Sequence, residues 1–447
     1  MSELFVKVHD HLPVFKVDLG LSMVLYTPGN FLKINTIPKK ELEYFLSDPS
    51  RIEDPDLRQA LSAIVECARD ASDKWEIRKQ LPFSPECLTI HVGNDCNLNC
   101  TYCYSKSNKA GNKALKGFPS ADSIRTVFMA MTEDVKSVRT GLTVVFHGSG
   151  EPTFHWPQLV DSVRDISNVA EECRQEVFFY IATNGCLTIP QIDWLSINMN
   201  LIGISCDGPD TIQNTQRNRG SDKYLPVDKV CRRILEMGGK FDMRVTVTPS
   251  TITHLKEITE YLIDECKART IRIEPVFLAG ENGFKEEDAD VFYRLFTESR
   301  DFANQLGVTF DYAGLRMSEL HGTYCDVLRN TLRLTVDGLT RNCFCFMSDN
   351  PGFITGRFNA ERSEFKLSPY LNDLKKSVFQ IPSGCSYCIN IYHCSRGCPD
   401  FCISEQADPD SRMLSPFRCR LHQLFAVERI MTWAGSQNHF KLTRITK

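Results

Sequence analysis

Leu88-Thr89-Ile90-His91-Val92-Gly93-Asn94-Asp95-Cys96-Asn97-Leu98-Asn99-Cys100-Thr101-Tyr102-Cys103 is the stretch on which the reading of the chain turns. Its first five residues are apolar and β-branched enough to form a strand, and Gly93-Asn94-Asp95 ends that strand in a loop. Three cysteines then fall within the eight residues from Cys96 to Cys103. Three thiolates on so short a loop wrap one small metal centre. A [4Fe–4S] cube has four irons, so three cysteines leave one iron without a protein ligand. An open coordination position is what catalysis at a metal needs, whereas a structural site is closed. A zinc site completed by a distant residue is the alternative for the same spacing.

Outward from this loop the pattern repeats. Strand-like runs recur at Leu142–Phe146, Val177–Ala182, Leu201–Ser205, Arg244–Thr248 and Ile271–Val276, and amphipathic segments at 120–134, 156–173, 226–238 and 254–268 lie between them. Strands alternating with helices imply βαβ crossovers and a parallel sheet. Six strands, counting Leu88–Val92, are too few for an eight-stranded barrel, so the fold class is α/β with a partial barrel or open sheet. In either arrangement chemistry belongs at the C-terminal strand ends. Residues 85–306 form this core, closed by a charged helical bridge near 284–306. Residues 1–84 read as a small α+β domain, with strands near 14–17, 22–26 and 31–34 and helices near 39–47 and 55–79. Residues 307–447 are turn-rich and cysteine-dense, with a helical tail near 420–433.

Composition bounds the function. The 447 residues suggest more than one domain, and 42% apolar against 24% charged residues supports a large buried core. A net charge of −4 gives no electrostatic footprint for nucleic acid or an anionic membrane. No apolar stretch approaches a bilayer span, and Met1 to Pro13 has neither a basic nor an apolar signal region, so the expectation is a cytoplasmic chain. In that compartment 19 cysteines point to metal binding or catalysis rather than disulfides. Seven of them (Cys67, Cys87, Cys173, Cys186, Cys206, Cys231 and Cys266) are scattered among apolar neighbours and read as small buried hydrophobes.

Cys96-x3-Cys100-x2-Cys103, with an aromatic residue before the last cysteine, resembles the signature of the radical S-adenosylmethionine (SAM) superfamily. The resemblance implies that the open iron chelates the amino and carboxylate groups of SAM, and that Tyr102 packs near the adenine. His147-Gly148-Ser149-Gly150-Glu151-Pro152 resembles the family's Gly-Gly-Glu-Pro segment, which implies that backbone around Gly150 and the Glu151 carboxylate meet the cofactor's ammonium group. Thr183-Asn184-Gly185 ends the third strand and adds Asn184. Ser205-Cys206-Asp207-Gly208-Pro209 resembles the family's Ser-x-Asp-Gly-Pro, and Ser205 and Arg217 match positions that touch the cofactor's ribose and carboxylate. Turn chemistry alone is the alternative for each glycine. Glu274 on the sixth strand is a catalytic candidate, or else one half of a buried ion pair.

Cys325-x12-Gly338-x4-Cys343 followed by Cys385-x2-Cys388-x5-Cys394-x3-Cys398 and Cys419 resembles the SPASM extension, which holds two auxiliary [4Fe–4S] clusters. With the SAM-binding cluster this implies three clusters in all. The family pattern assigns Cys385, Cys388, Cys394 and Cys419 to the outer auxiliary cluster, and Cys325, Cys343 and Cys398 to the inner one. Cys345 is the candidate fourth inner ligand; otherwise that iron stays open to a substrate thiolate. A zinc ribbon is the alternative for Cys385, Cys388, Cys394 and Cys398. The resemblance implies a maturase of ribosomally made precursor peptides, served by an electron donor such as flavodoxin or ferredoxin. Thioether crosslinking of a cysteine to a Cα or Cβ carbon leads; carbon–carbon crosslinking, epimerisation and anaerobic sulfatase maturation are alternatives. Phe344 stands where sulfatase maturases carry an acidic residue. A small-molecule enzyme on the same core and a non-catalytic iron–sulfur or zinc protein complete the alternatives. The N-terminal domain is either a leader-peptide recognition module or a packing extension of the core.

Overall fold

The computed structural model describes residues 5–9, 11–18, 23–34, 44, 48–103, 105, 114–135, 141–217, 224–276, 283–320, 330–342, 353–394, 415–435 and 443–444. In chain order the elements begin with β1 (Phe5–Lys7), β2 (Phe15–Asp18), β3 (Met23–Thr27), β4 (Asn30–Ile34) and α1 (Pro55–Gln80). The repeating βα units follow: β5 (Cys87–Val92), α2 (Ala121–Val135), β6 (Gly141–Gly148), α3 (Trp156–Cys173), β7 (Glu176–Thr183), α4 (Ile189–Asn198) and β8 (Leu201–Ser205). They continue through α5 (Asp210–Arg217), α6 (Val227–Glu236), β9 (Phe241–Val247), α7 (Leu255–Asp264), β10 (Thr270–Pro275), α8 (Asp288–Gln305) and β11 (Thr309–Asp311). The remainder is β12 (Thr331–Leu334), β13 (Leu339–Arg341), β14 (Ile354–Asn359), β15 (Glu364–Leu367), α9 (Leu371–Phe379), α10 (Pro416–Gly435) and β16 (Thr443–Arg444).

These elements sort into two compact units, one made of Met1–Leu81, Gly314–Tyr324 and Phe379–Lys447, the other of Pro82–Ala313 and Cys325–Val378. This division departs from boundaries at 84 and 306. The larger unit holds one 11-stranded sheet in the order β11-β10-β9-β8-β7-β6-β5-β12-β13-β14-β15. All six strands expected from the sequence are there, parallel and neighbouring in chain order. Two more parallel strands extend them, β11 beside β10 and β12 beside β5. Backbone pairing of Thr331 to Leu334 with Cys87 to Ile90 is why Cys325–Val378 belongs to the same unit as the core strands, while Phe379–Lys447 does not. The sheet then runs on through antiparallel β13, β14 and β15.

Both faces of β5 are covered: Leu88, Ile90 and Val92 on one side and Thr89 and His91 on the other are all buried. That is the burial of a central parallel strand, with helices on one face. Ile124, Val127, Phe128 and Met131 of α2 recur at helical spacing and are buried at 0–1% exposure. No helix of the described residues is long and apolar enough to cross a membrane.

The smaller unit is built on a five-stranded sheet, β1-β2-β3-β4-β16, antiparallel throughout. Helix α1 starts where expected because Asp54 Oδ1 accepts the Asp56 and Leu57 N–H groups (2.9 and 3.2 Å) and Pro55 follows the cap. Its apolar stripe, Leu57, Leu61, Ile64 and Ala68, joins Val14, Leu25, Leu32 and Ile52 in one buried cluster. Further along, Trp75 stacks on Tyr392 (5.0 Å) and meets Phe379 edge-on (5.3 Å). The buried Tyr26 hydroxyl donates to His393 Nε2 at 2.6 Å, and His393 Nδ1 donates to the Glu319 carbonyl at 2.6 Å. Burial holds His393 down to about 4, so it is the neutral imidazole that ties these segments. The expected helix near 39–47 lies almost wholly outside the described residues.

Ile64→Ala should destabilise this unit by about 2–5 kcal/mol, because the site is closed on all sides and leaves a cavity. Exposed Glu66→Ala should stay within about 0.5 kcal/mol. Denaturant midpoints of the two variants check the pair.

Candidate active site

The cysteine loop hangs from the C-terminal end of β5 and is sewn down along its length. Gly93 N–H donates to Gly117 O (2.9 Å), Asn94 N–H to Leu115 O (2.6 Å) and Thr101 N–H to Gln216 O (2.8 Å). Asp95 Oδ2 accepts the Gly117 N–H at 2.7 Å and lies 3.1 Å from His155 Nε2. Cys96 is exposed and Cys100 and Cys103 are half-buried, the last with its sulfur 2.9 Å from Ser105 Oγ. Partial desolvation, helped by Glu151, Cys100 and Cys103 against a hydrogen bond from Leu98 N–H, pushes the Cys96 thiol up to about 11. Loading metal there must therefore displace a proton.

Glu151, at the end of β6, is 2% exposed and its carboxylate is fully occupied. Oε1 accepts Thr153 N–H (3.2 Å), Thr153 Oγ1–H (2.8 Å) and Thr183 Oγ1–H (2.8 Å), while Oε2 accepts Asn184 N–H (2.7 Å). Burial raises its pKa and these donors oppose the rise. Its own N–H donates to Asp95 O at 2.9 Å. One residue thus joins the cysteine loop to the ends of β6 and β7. Asn184 carries the link on: Nδ2 donates to Asn97 Oδ1 at 2.7 Å and lies 3.8 Å from Cys96 Sγ.

A second buried carboxylate organises the opposite side. Asp207, after β8, receives Arg217 in a two-pronged pair, Nε to Oδ2 and Nη2 to Oδ1, both at 2.9 Å. The Tyr102 hydroxyl donates to Oδ2 at 2.6 Å, and Thr246 N–H of β9 donates to Oδ1 at 3.0 Å. Burial opposes the charge on Arg217, but Asp207 outweighs it and raises its pKa further. Burial, more than any neighbour, raises Tyr102. Removing one partner from a buried pair of this kind costs about 3–5 kcal/mol. Arg217 and Tyr102 are therefore tied into the scaffold that surrounds the loop.

Of the other residues singled out in the sequence, Ser205 is half-buried in register with Arg244, and Glu274 is half-buried in register with Thr246. Gly150 is placed by close approach: a Cβ there would lie 2.1 Å from Asp95 O and 2.3 Å from Gly93 O. Asp95, Thr183 and Asp207 were not chosen from the sequence. Asp207 sat inside a quoted motif, and only the fold reveals that three partners converge on it.

The C-terminal cysteines divide by description. Cys385, Cys388, Cys394 and Cys419 line one cavity with Asn390, Ile391 and His422. Cys325, Cys343, Cys345 and Cys398 lie outside the described residues. Among the described residues no three His, Cys, Asp or Glu side chains are already drawn in to the geometry of a bound metal ion. The four sulfurs nonetheless make an all-thiolate donor set, which suits an iron–sulfur cluster or zinc. Asn390 is 1% exposed and its amide has no hydrogen-bond partner among the described residues. An amide left so costs about 1–3 kcal/mol, and a group bound in the cavity would relieve it. On the larger unit, three cysteines on one tethered loop beside Asn184 fit an iron–sulfur cluster with an open iron.

Gly150→Ala should push backbone against backbone and displace the loop. Reconstituted protein should form 5′-deoxyadenosine from SAM about tenfold more slowly or worse. Iron held by the C-terminal cysteines should be retained. Product quantification with iron counting checks both.

Residues 90–262 match the Radical SAM superfamily. The cysteine-type anaerobic sulfatase-maturating enzyme of Clostridium perfringens is 26% identical over 175 residues, 38% of this chain and 46% of that protein. The match thus spans about half the length of that curated relative. Native anSMEcpe with bound AdoMet is similar in structure at 18% identity and a TM-score of 0.62, over 78% of this chain and 98% of that one. Streptococcus suis SuiB bound to precursor peptide SuiA follows at 15% identity and 0.55, over 94% of this chain and 99% of that one. At these identities the two structures speak for a shared fold. Residues 90–262 of the chain thus carry a radical SAM domain.

Proposed function

We propose that this enzyme is a radical SAM/SPASM maturase that modifies a ribosomally made precursor peptide, most directly by thioether crosslinking of a cysteine to a Cα or Cβ carbon. The observation that carries the reading is the convergence of strand ends on the cysteine loop. Glu151, Asn184 and Asp207, from three different strand ends, each bond to residues 95–102. SuiB, solved with its precursor peptide, supports a peptide substrate by similarity of fold.

The residues divide the work. Cys96, Cys100 and Cys103 would hold a [4Fe–4S] cluster with one open iron. When bound there, cluster and SAM supply reductive cleavage to a 5′-deoxyadenosyl radical, the species that takes a hydrogen atom from substrate. Gly150 lets the β6 end reach the loop, and Glu151 and Asn184 fix the loop's first cysteine. Tyr102, Asp207 and Arg217 hold its last turn against the ends of β8 and β9. Ser205 on β8 and Glu274 on β10, half-buried on either side of β9, would be the remaining contacts for cofactor and substrate. Cys385, Cys388, Cys394 and Cys419 would hold the outer auxiliary cluster, and Cys325, Cys343 and Cys398, with Cys345 as fourth candidate, the inner one. The electron would come from a donor such as flavodoxin or ferredoxin.

Sulfatase maturation is the second reading, favoured by the Clostridium perfringens relative. Phe344 in place of an acidic residue weighs against it. The product tells them apart: a crosslink loses a hydrogen pair and resists thiol reagents, whereas sulfatase maturation leaves an aldehyde.

Replacing Cys96, Cys100 and Cys103 together by Ala should abolish 5′-deoxyadenosine formation while auxiliary iron stays bound. Anaerobic reconstitution with iron and sulfide counting reads this directly. Loss of all iron from that variant would contradict separate clusters.

A further inference from the structure

Two nitrogen-bearing side chains face the cavity of the four C-terminal cysteines. His422, 1% exposed, places Nδ1 3.1 Å from Cys394 Sγ. Asn390 lines the same cavity with the orphaned amide described above. Each is positioned by its own backbone. Cys419 and His422 stand three residues apart on α10 and so share one face of the helix. Asn390 begins a tight turn in which its carbonyl accepts the N–H groups of His393 (2.9 Å) and Cys394 (3.0 Å).

A sulfur bonded to iron can only accept. The imidazole beside it must then present a proton on Nδ1, and the amide must present Nδ2–H. Reduction adds negative charge to a cluster, so N–H donors at its sulfurs stabilise the reduced form more than the oxidised one. We propose that His422 and Asn390 donate hydrogen bonds to the sulfurs of an iron–sulfur cluster held by Cys385, Cys388, Cys394 and Cys419, and raise its reduction potential. The inference rests on the assignment of those four cysteines to a cluster. His422 is here a positioning residue, because four cysteines already match the four irons of a cube.

The test is an anaerobic redox titration, followed by electron paramagnetic resonance, of the full-length loaded protein and its His422→Leu, His422→Gln and Asn390→Leu variants. Iron and sulfide contents should match those of the parent protein in all three. At a fixed poise the ratio of reduced to oxidised outer cluster should fall about tenfold in His422→Leu, roughly 59 mV for a one-electron couple. Asn390→Leu, similar in volume and with no partner to lose, should move it the same way and reads the effect independently. His422→Gln, which keeps an N–H donor, should recover most of the loss. An unchanged midpoint in both Leu variants overturns the proposal. So does loss of iron from His422→Leu together with strong nitrogen coupling in the parent, since His422 would then be a ligand. Failure of the underlying assignment looks different: zinc in place of iron, or iron content unaltered by Cys385→Ala with Cys388→Ala.

Discussion

Two carboxylates buried away from water, Glu151 and Asp207, hold the cysteine loop against the strand ends. A charged carboxylate in such a place is tolerated only when its lone pairs are filled. Glu151 fills them with two threonine hydroxyls and two backbone N–H groups. Asp207 fills them with a guanidinium, a phenol and a backbone N–H. Because the donors come from different strands and from the loop itself, meeting these demands fixes the loop. A metal centre with an open position depends on that: its ligands must stay placed although one coordination site contributes nothing to holding it.

The division of roles at the site follows. Sequence similarity alone assigns Glu151, Tyr102 and Arg217 to the cofactor. In the structure their side chains also bond to protein, so each helps to hold the loop in place. Cys96 is the exposed cysteine of the loop, and Ser205 and Glu274 are half-buried on β8 and β10. Gly150 shows the same economy in backbone: with a side chain it would collide with Asp95 and Gly93.

Much of this was legible in the chain. Strands β5 to β10 were readable because each is an apolar run flanked by an amphipathic helix, and the cysteine loop because its spacing is short and regular. Strands β11 and β12 escaped because three or four residues carry no usable period, and because β12, Thr331-Leu332-Arg333-Leu334, buries an arginine that reads as surface. Missing β12 misplaced the boundary at 306, since its pairing with β5 is a contact between residues some 240 apart in sequence. The hub at Asp207 was hidden for a similar reason: its partners Tyr102 and Thr246 lie 105 and 39 residues away in the chain. Asn390 and His422 were overlooked because nothing local distinguishes an amide in a turn or a histidine on a helix from an ordinary one.

The central claim is that Cys96, Cys100 and Cys103 hold a cluster whose fourth iron is open to SAM. Electron–nuclear double resonance on the anaerobically loaded, reduced full-length protein, with SAM isotopically labelled at its amino nitrogen and carboxylate, tests it most directly. The account predicts that both labels couple to a single iron and that the coupling vanishes in the triple cysteine variant. Protein containing only zinc, or spectra that the labelled nucleotide leaves untouched, would contradict it.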